Sequence, residues 1–242
     1  MRVALISDLH ANAVALQAVL DDIARTGVDQ IVCLGDVATL GPRPSAVLET
    51  LEHLECPCIL GNHDEFLTDS ELIKRYTDTP VVVDSVDWCR EKLSADELDF
   101  LTTFRASMEI PLADNVTLFL FHGTPRSHME DLVATTPAED VDVMLEGHKA
   151  AVMAGGHTHI QMMRQHRGSL IVNPGSVGAP FKEYTRGRAP TLMPHAEYAI
   201  VSGADEGVSV DLRRVAVDKR AMRKAVLDTD LPIGESLVQH YV

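Results

Sequence analysis

The chain has 242 residues, 45% hydrophobic and 24% charged, which are the proportions of a globular protein and exclude a disordered or fibrous one. A formal charge of −15 at pH 7 opposes long nucleic acid as a partner, because such binding rests on many Lys and Arg contacts to phosphate, but it leaves room for a small phosphate ester. The opening MRVALISDLH breaks at Ser7 and Asp8, too early for a signal-peptide core, and no apolar stretch is long enough to span a bilayer, so a soluble cytoplasmic protein with no membrane partner is expected.

Val3 to Ile6 read as a short buried strand. Asn12 is placed to cap a helix in which Leu16, Val19, Leu20 and Ile23 recur at i, i+3, i+4 and i+7, and Gly27 stops it. Ile31 to Leu34 form a second strand, completing a β-α-β unit. Gly41 to Pro44 make a turn, Ser45 is the expected cap of a helix through Leu54, and Cys58 to Leu60 give a third strand. Residues 65–110 read as a mostly helical excursion, with Val81 to Val83 as its strand candidate. Val116 to Phe121, Val152 to Ala154 and Leu170 to Asn173 are further strands. Tyr198 to Ser202 and Val208 to Val215 suggest a hairpin turning at Asp205 to Gly207, and Asp218 to Leu227 a charged helix at a surface or interface. The rhythm is α/β, and residues 1–242 are expected to form one domain. Cys33, Cys56, Cys58 and Cys89 lack a paired CxxC arrangement and are expected to be structural thiols.

Five polar clusters fall where predicted strands end: Asp8 with His10, Gly35-Asp36, Gly61-Asn62-His63-Asp64, His122-Gly123, and Gly156-His157-Thr158-His159. In open α/β sheets ligands bind outside the carboxyl ends of strands, so clusters more than a hundred residues apart can converge. The i, i+2 spacing of Asp8 and His10, and of His157 and His159, points both side chains of each pair one way if the backbone stays extended. Imidazole and carboxylate together suit Mn, Fe, Zn, Co or Ni, and the oxygen ligands are too few for a dedicated Ca site.

The series Asp8-x-His10, Gly35-Asp36-x4-Gly41, Gly61-Asn62-His63-Asp64, His122, Gly156-His157-x-His159 resembles the signature of the calcineurin-like metallophosphoesterase superfamily. Asn173-Pro174-Gly175-Ser176 with Val177-Gly178 resembles a segment of its small bacterial phosphodiesterase-like branch. The resemblance implies a four-layer α/β (α+β) sandwich, two mixed β-sheets flanked by α-helices. It implies two divalent metal ions, Mn before Fe, Zn, Co or Ni. Asp8, His10, Asp36 and His159 would hold one ion and Asp36, Asn62, His122 and His157 the other, with Asp36 bridging. It further implies hydrolysis of phosphate esters by a metal-bridged hydroxide, with phosphodiesters favoured and His63 serving the leaving oxygen as a charged imidazole. Alternatives are a small-molecule phosphomonoesterase, a dinucleoside polyphosphate hydrolase, or a non-catalytic scaffold, which would be expected to have lost ligands or His63. Thr39 and Leu40 stand where the protein phosphatases of this superfamily have Asp and Arg, and Asp64 stands where they have Glu, which argues against that activity.

Arg126 and His128 follow His122 closely enough to reach a substrate phosphate, or else lie in a solvated loop. Asn12 either faces the metals or only caps its helix. Asn173 to Gly178 either tie a loop beneath the site or form a turn. His53, His148, His166, His195 and His240 show no partner pattern, and the sequence leaves homo-oligomerisation open.

Overall fold

Alternation along the first strand sets the layering. Val3 and Leu5 project to one face and Ala4 and Ile6 to the other, and all four are fully buried, so the strand is covered on both sides. The computed structural model describes residues 1–185, 188–204 and 207–241. In chain order the elements are β1 (Arg2–Ile6), α1 (Ala13–Thr26), β2 (Gln30–Cys33), α2 (Pro44–His53), α3 (Asn62–Thr68), α4 (Ile73–Tyr76), α5 (Pro80–Glu91), α6 (Ala95–Leu101) and β3 (Met108–Ala113). They continue with β4 (Val116–Leu120), α7 (Ala138–Met144), β5 (Val152–Ala154), β6 (Met162–His166), β7 (Ser169–Asn173), β8 (His195–Ala204), β9 (Gly207–Ala216), α8 (Lys219–Leu227) and α9 (Gly234–His240).

Two mixed sheets result, ordered β2-β1-β8-β9 and β3-β4-β5-β7-β6. Val3, Leu5, Val32 and Leu34 of the first meet Leu118, Leu120, Val152 and Val172 of the second in one core. The outer face of the first sheet, with Ala4, Ile6, Tyr198 and Ile200, carries Leu16 and Val19 of α1 and Val47 and Leu51 of α2. The outer face of the second, with Phe119, Met153 and Ile171, carries Val141 of α7. This is the four-layer sandwich the resemblance implies. Each fully buried large aliphatic side chain in these cores stabilises the fold by about 1.5–3 kcal/mol. β1 and β2 are parallel in one sheet, β4 and β5 in the other, and the carboxyl ends of all four lead into the polar clusters.

Several local expectations are corrected. Val81 to Val83 are helical: Pro80 sits in the first turn of α5, and Val82, Val83 and Val86 pack on Phe66 and Ile73, so burial of one helical face overrides β-branched propensity. Cys58 to Leu60 form only isolated bridges to Cys33 and Arg105. Ser45 does not cap α2, whose first residue is Pro44; its hydroxyl donates to the Lys92 carbonyl instead. The hairpin exists and is longer than expected, and of its predicted turn Asp205 and the residue after it lie outside the described residues. All four cysteines are free and buried, and burial pushes the Cys89 thiol up to about 12, as befits structural thiols. No described helix is long and apolar enough to cross a membrane.

Candidate metal centre

The backbone at the strand ends is left-handed at residue after residue. Asp8 (φ 53°), His10 (42°), Asp36 (57°), His157 (66°) and His159 (57°) all occupy that region, which non-glycine residues adopt at a conformational cost of order 1–3 kcal/mol. The expectation of extended backbone at the two i, i+2 pairs is therefore corrected: the side chains converge because the chain turns at each donor. A ladder of hydrogen bonds holds the strained loops together. The N–H groups of Asp8, His10 and Ala11 donate to the carbonyls of Gly35, Asp36 and Val37 at 2.9, 3.0 and 2.8 Å, and Gly156 N–H donates to the His122 carbonyl at 2.8 Å.

These loops gather two donor groups around one shared carboxylate. One donor atom each from Asp8, His10, Asp36 and His159 lie within 4.8 Å of one another, and so do those of Asp36, His122 and His157. Asn62 joins the second group, its Oδ1 3.2 Å from His122 Nε2. His10 Nε2 faces His159 Nε2 at 3.0 Å, an approach that brings two lone pairs together unless a proton or a cation lies between them. Buried Asp8 Oδ1 has no hydrogen-bond donor. Both features fit a divalent cation with mixed imidazole and carboxylate ligands. His122 Nδ1 lies 2.6 Å from the Leu34 carbonyl and His159 Nδ1 2.7 Å from the Ala179 carbonyl, so in each ring Nδ1 donates and Nε2 is the nitrogen turned to the cluster, free to ligate once it has given up any proton it holds.

The electrostatics point the same way. Burial would raise the Asp36 pKa, yet the surrounding imidazoles, His122 foremost, hold it well below the usual carboxylate range. Burial likewise opposes charge on His122, but Asp36 and Asp8 push it up to about 10. In the metal-free protein the cluster thus takes up positive charge where cations would sit. His10 is driven down to about 3 by burial and by neighbouring His159 and His63.

His63 is in neither donor group. Its backbone N–H donates to Asp36 Oδ1 at 2.8 Å, while its ring sits edge-on to His10, Phe66 and Tyr76 with buried Nδ1 unpartnered. Burial, with the imidazoles of His159, His157 and His122, takes its pKa down to about 4 despite Asp36. In the metal-free protein burial thus favours the neutral ring, while Asp36, and any arriving anion, favours the charged one.

Four further residues support the site, two of them, Asp64 and Asp131, in roles the sequence did not assign. Buried Asp64 accepts from the N–H groups of Asp36, Val37 and Gly61 at 2.9, 2.8 and 2.9 Å, tying the Asp36 loop to the start of α3. Burial and the charge of Asp36 raise it to about 7. Asn173 donates to the Gly156 carbonyl at 2.6 Å and Ser176 to the Asp8 carbonyl at 2.7 Å, so the 173–178 segment does lie beneath the site as a brace. A carboxylate nine residues beyond His122, Asp131, reaches His157 Nε2 at 3.3 Å. Its only sequence signal was its place in the loop after His122.

A cavity of about 1280 Å³ opens over the cluster and is lined by His10, Asp36, Asn62, His63, His157 and His159. Asn12 lines it too, but its amide is engaged, accepting from Ala15 N–H at 3.1 Å and donating to the Gly178 carbonyl at 3.0 Å. Arg126 pairs with Glu130 and His128 with Glu65 (3.0 Å), and neither is among the residues lining the cavity. Lys74, Arg75 and Arg188, which sequence reasoning passed over, are. Of the unassigned histidines, His166 pairs with Asp142, His195 with Glu197, His148 stacks on Phe119, and His240 lines the cavity.

A family model described as the calcineurin-like phosphoesterase superfamily domain matches residues 1–193. The chain is 28% identical to a metallophosphoesterase from Sphaerobacter thermophilus, with a TM-score of 0.76 over 100% of this chain and 98% of that one. It is 27% identical over 252 residues to an uncharacterized protein of Methanocaldococcus jannaschii, covering 97% of this chain and 96% of the relative. A hypothetical protein from Pyrococcus horikoshii shares the fold, with a TM-score of 0.82 at 19% identity over 98% of this chain and 96% of that one.

Proposed function

The chain belongs to the calcineurin-like phosphoesterase superfamily, and on that premise we propose that it is a two-metal hydrolase of small phosphate esters, acting on phosphodiesters ahead of monoesters. The observation that carries the reading is the pair of donor groups sharing Asp36. Asp8, His10, Asp36 and His159 would hold one divalent ion, and Asp36, Asn62, His122 and His157 the other. Bound in pairs, such ions supply Lewis acidity toward a phosphoryl oxygen and toward water.

The chain's own residues do the rest. Asp36 shares its charge between the two positions, and Asp64 and the N–H of His63 fix its orientation. His63, unpartnered at Nδ1 and lining the cavity beside the cluster, would supply a proton or a hydrogen bond to the leaving oxygen. Asp131 adds a negative charge beside His157, which penalises a dianionic monoester more than a monoanionic diester.

The test is metal analysis and turnover on the same Mn-loaded sample. Two ions per chain are expected, with bis(p-nitrophenyl) phosphate cleaved faster than p-nitrophenyl phosphate. Asp36→Asn should lose both ions and the activity, because one bridging charge is removed from two cations. One ion per chain at full turnover, or an Asp36→Asn protein as active as the wild type, would reject the two-metal reading, and two bound ions without turnover would favour a scaffold.

A further inference from the structure

The cavity is far larger than a phosphate needs. Its volume of about 1280 Å³ exceeds the roughly 300–1,000 Å³ that holds a drug-sized ligand, and it extends from the histidine cluster to the space between the Tyr76 segment and α9. The Tyr76 ring lies 6.0 Å from His63 and 5.6 Å from Phe66 between centroids, yet 47% of the residue is exposed. The ring is thus held by aromatic contacts at the cluster while the residue lines the cavity and stays partly exposed. Val82 and Leu237 continue an apolar wall.

Among the described residues of this wall, charge cancels. Beyond the metal ligands, the described lining residues include Lys74, Arg75 and Arg188 against Asp78, Asp131 and Glu235. A polyphosphate chain gains nothing from such a wall, because attraction and repulsion balance, whereas an uncharged ring gains the area of Tyr76.

Resting on the phosphoesterase reading above, we infer that this outer part of the cavity is a subsite for an uncharged aromatic group of nucleoside size, with Tyr76 as its stacking platform. The substrate class is then a phosphodiester carrying one such arm, its single negative charge at the metals.

Calorimetry on the Mn-loaded protein tests this, by comparing AMP with ribose 5-phosphate, which differ only in the base, with both recovered uncleaved after the titration. AMP should bind at least about fivefold tighter, the lower end of base-on-aromatic stacking, and Tyr76→Ala should reduce that ratio to near unity at unchanged Mn content and melting temperature. Equal wild-type affinities, or a ratio unchanged in Tyr76→Ala, would overturn the subsite. Diadenosine tetraphosphate binding more than about tenfold tighter than AMP would overturn its uncharged character. In turnover, Tyr76→Ala should lower the kcat/KM ratio of bis(p-nitrophenyl) phosphate to methyl p-nitrophenyl phosphate by about tenfold, chiefly through KM. Should neither ester be hydrolysed while the AMP preference persists, the hydrolase reading fails and the subsite is supported.

Discussion

At the scale of single residues, the site separates the two donor groups from one buried imidazole outside them. His63 touches Asp36 only through its backbone and belongs to neither donor group, so His63→Gln should keep the metals and lower kcat by roughly 10² to 10⁴. The loss should be larger for an alkyl ester than for a nitrophenyl ester, since a phenolate leaves without a proton. Metal content and kcat measured together on both esters decide the matter, and a variant that loses metal in step with activity would make His63 a ligand or a support. His122 gives the pH dependence. Against the opposing effect of burial, Asp36 raises it to about 10 in the metal-free protein, so its Nε2 is protonated at pH 7 and a cation must expel that proton. Affinity at the position held by Asn62, His122 and His157 should therefore climb by up to about tenfold per pH unit from neutrality toward pH 10. Calorimetry in buffers of different ionisation enthalpy would show the released proton; uptake independent of pH would refute the assignment.

At the scale of elements, the site depends on how closely the end of β2 approaches the start of α3. Gly61 has no side chain because a Cβ there would collide with Asp36 Oδ1 and stand 2.6 Å from Asp36 N. Gly61→Ala should push the shared carboxylate aside, losing metal at both positions while the sheets and their helices persist. Circular dichroism paired with metal analysis tests this, and full metal retention would show that the approach is slack. The same elements show where local reading fails. The α1 cap and stripe were legible because Asn12 bonds Ala15 N–H and Leu16, Val19 and Ile23 are buried on one face. α5 was not, because a β-branched run declares itself a strand until its partners Phe66 and Ile73 are known. β3 and β6 were passed over as edge strands whose alternate residues face solvent, which leaves a weak apolar signal.

At the scale of the whole molecule, a chain of charge −15 buries Asp8 and Asp36 in a cluster suited to positive charge. Cations can make the cavity floor attractive to one phosphate without making the outer surface attractive to a polyanion. Duplex DNA should accordingly be unretained at about 150 mM salt with or without Mn, as electrophoretic mobility would show, and submicromolar binding would count against a small-ester substrate.

The sequence by itself determined the donor types, their order and their attachment to strand ends, because carboxylate, imidazole and glycine carry chemistry that periodicity does not dilute. The tertiary structure alone decided the rest. It turned the donors inward through left-handed backbone where extended strand was expected, and it put Asp64 under three backbone N–H groups. It also committed Arg126 and His128 to carboxylates away from the cavity while bringing Tyr76 and Arg75 to its wall. The physical reason is that a side chain's partners, and the sign of the field it feels, are set by segments distant in sequence. Spacing along the chain records which groups are available, and only packing records which of them meet.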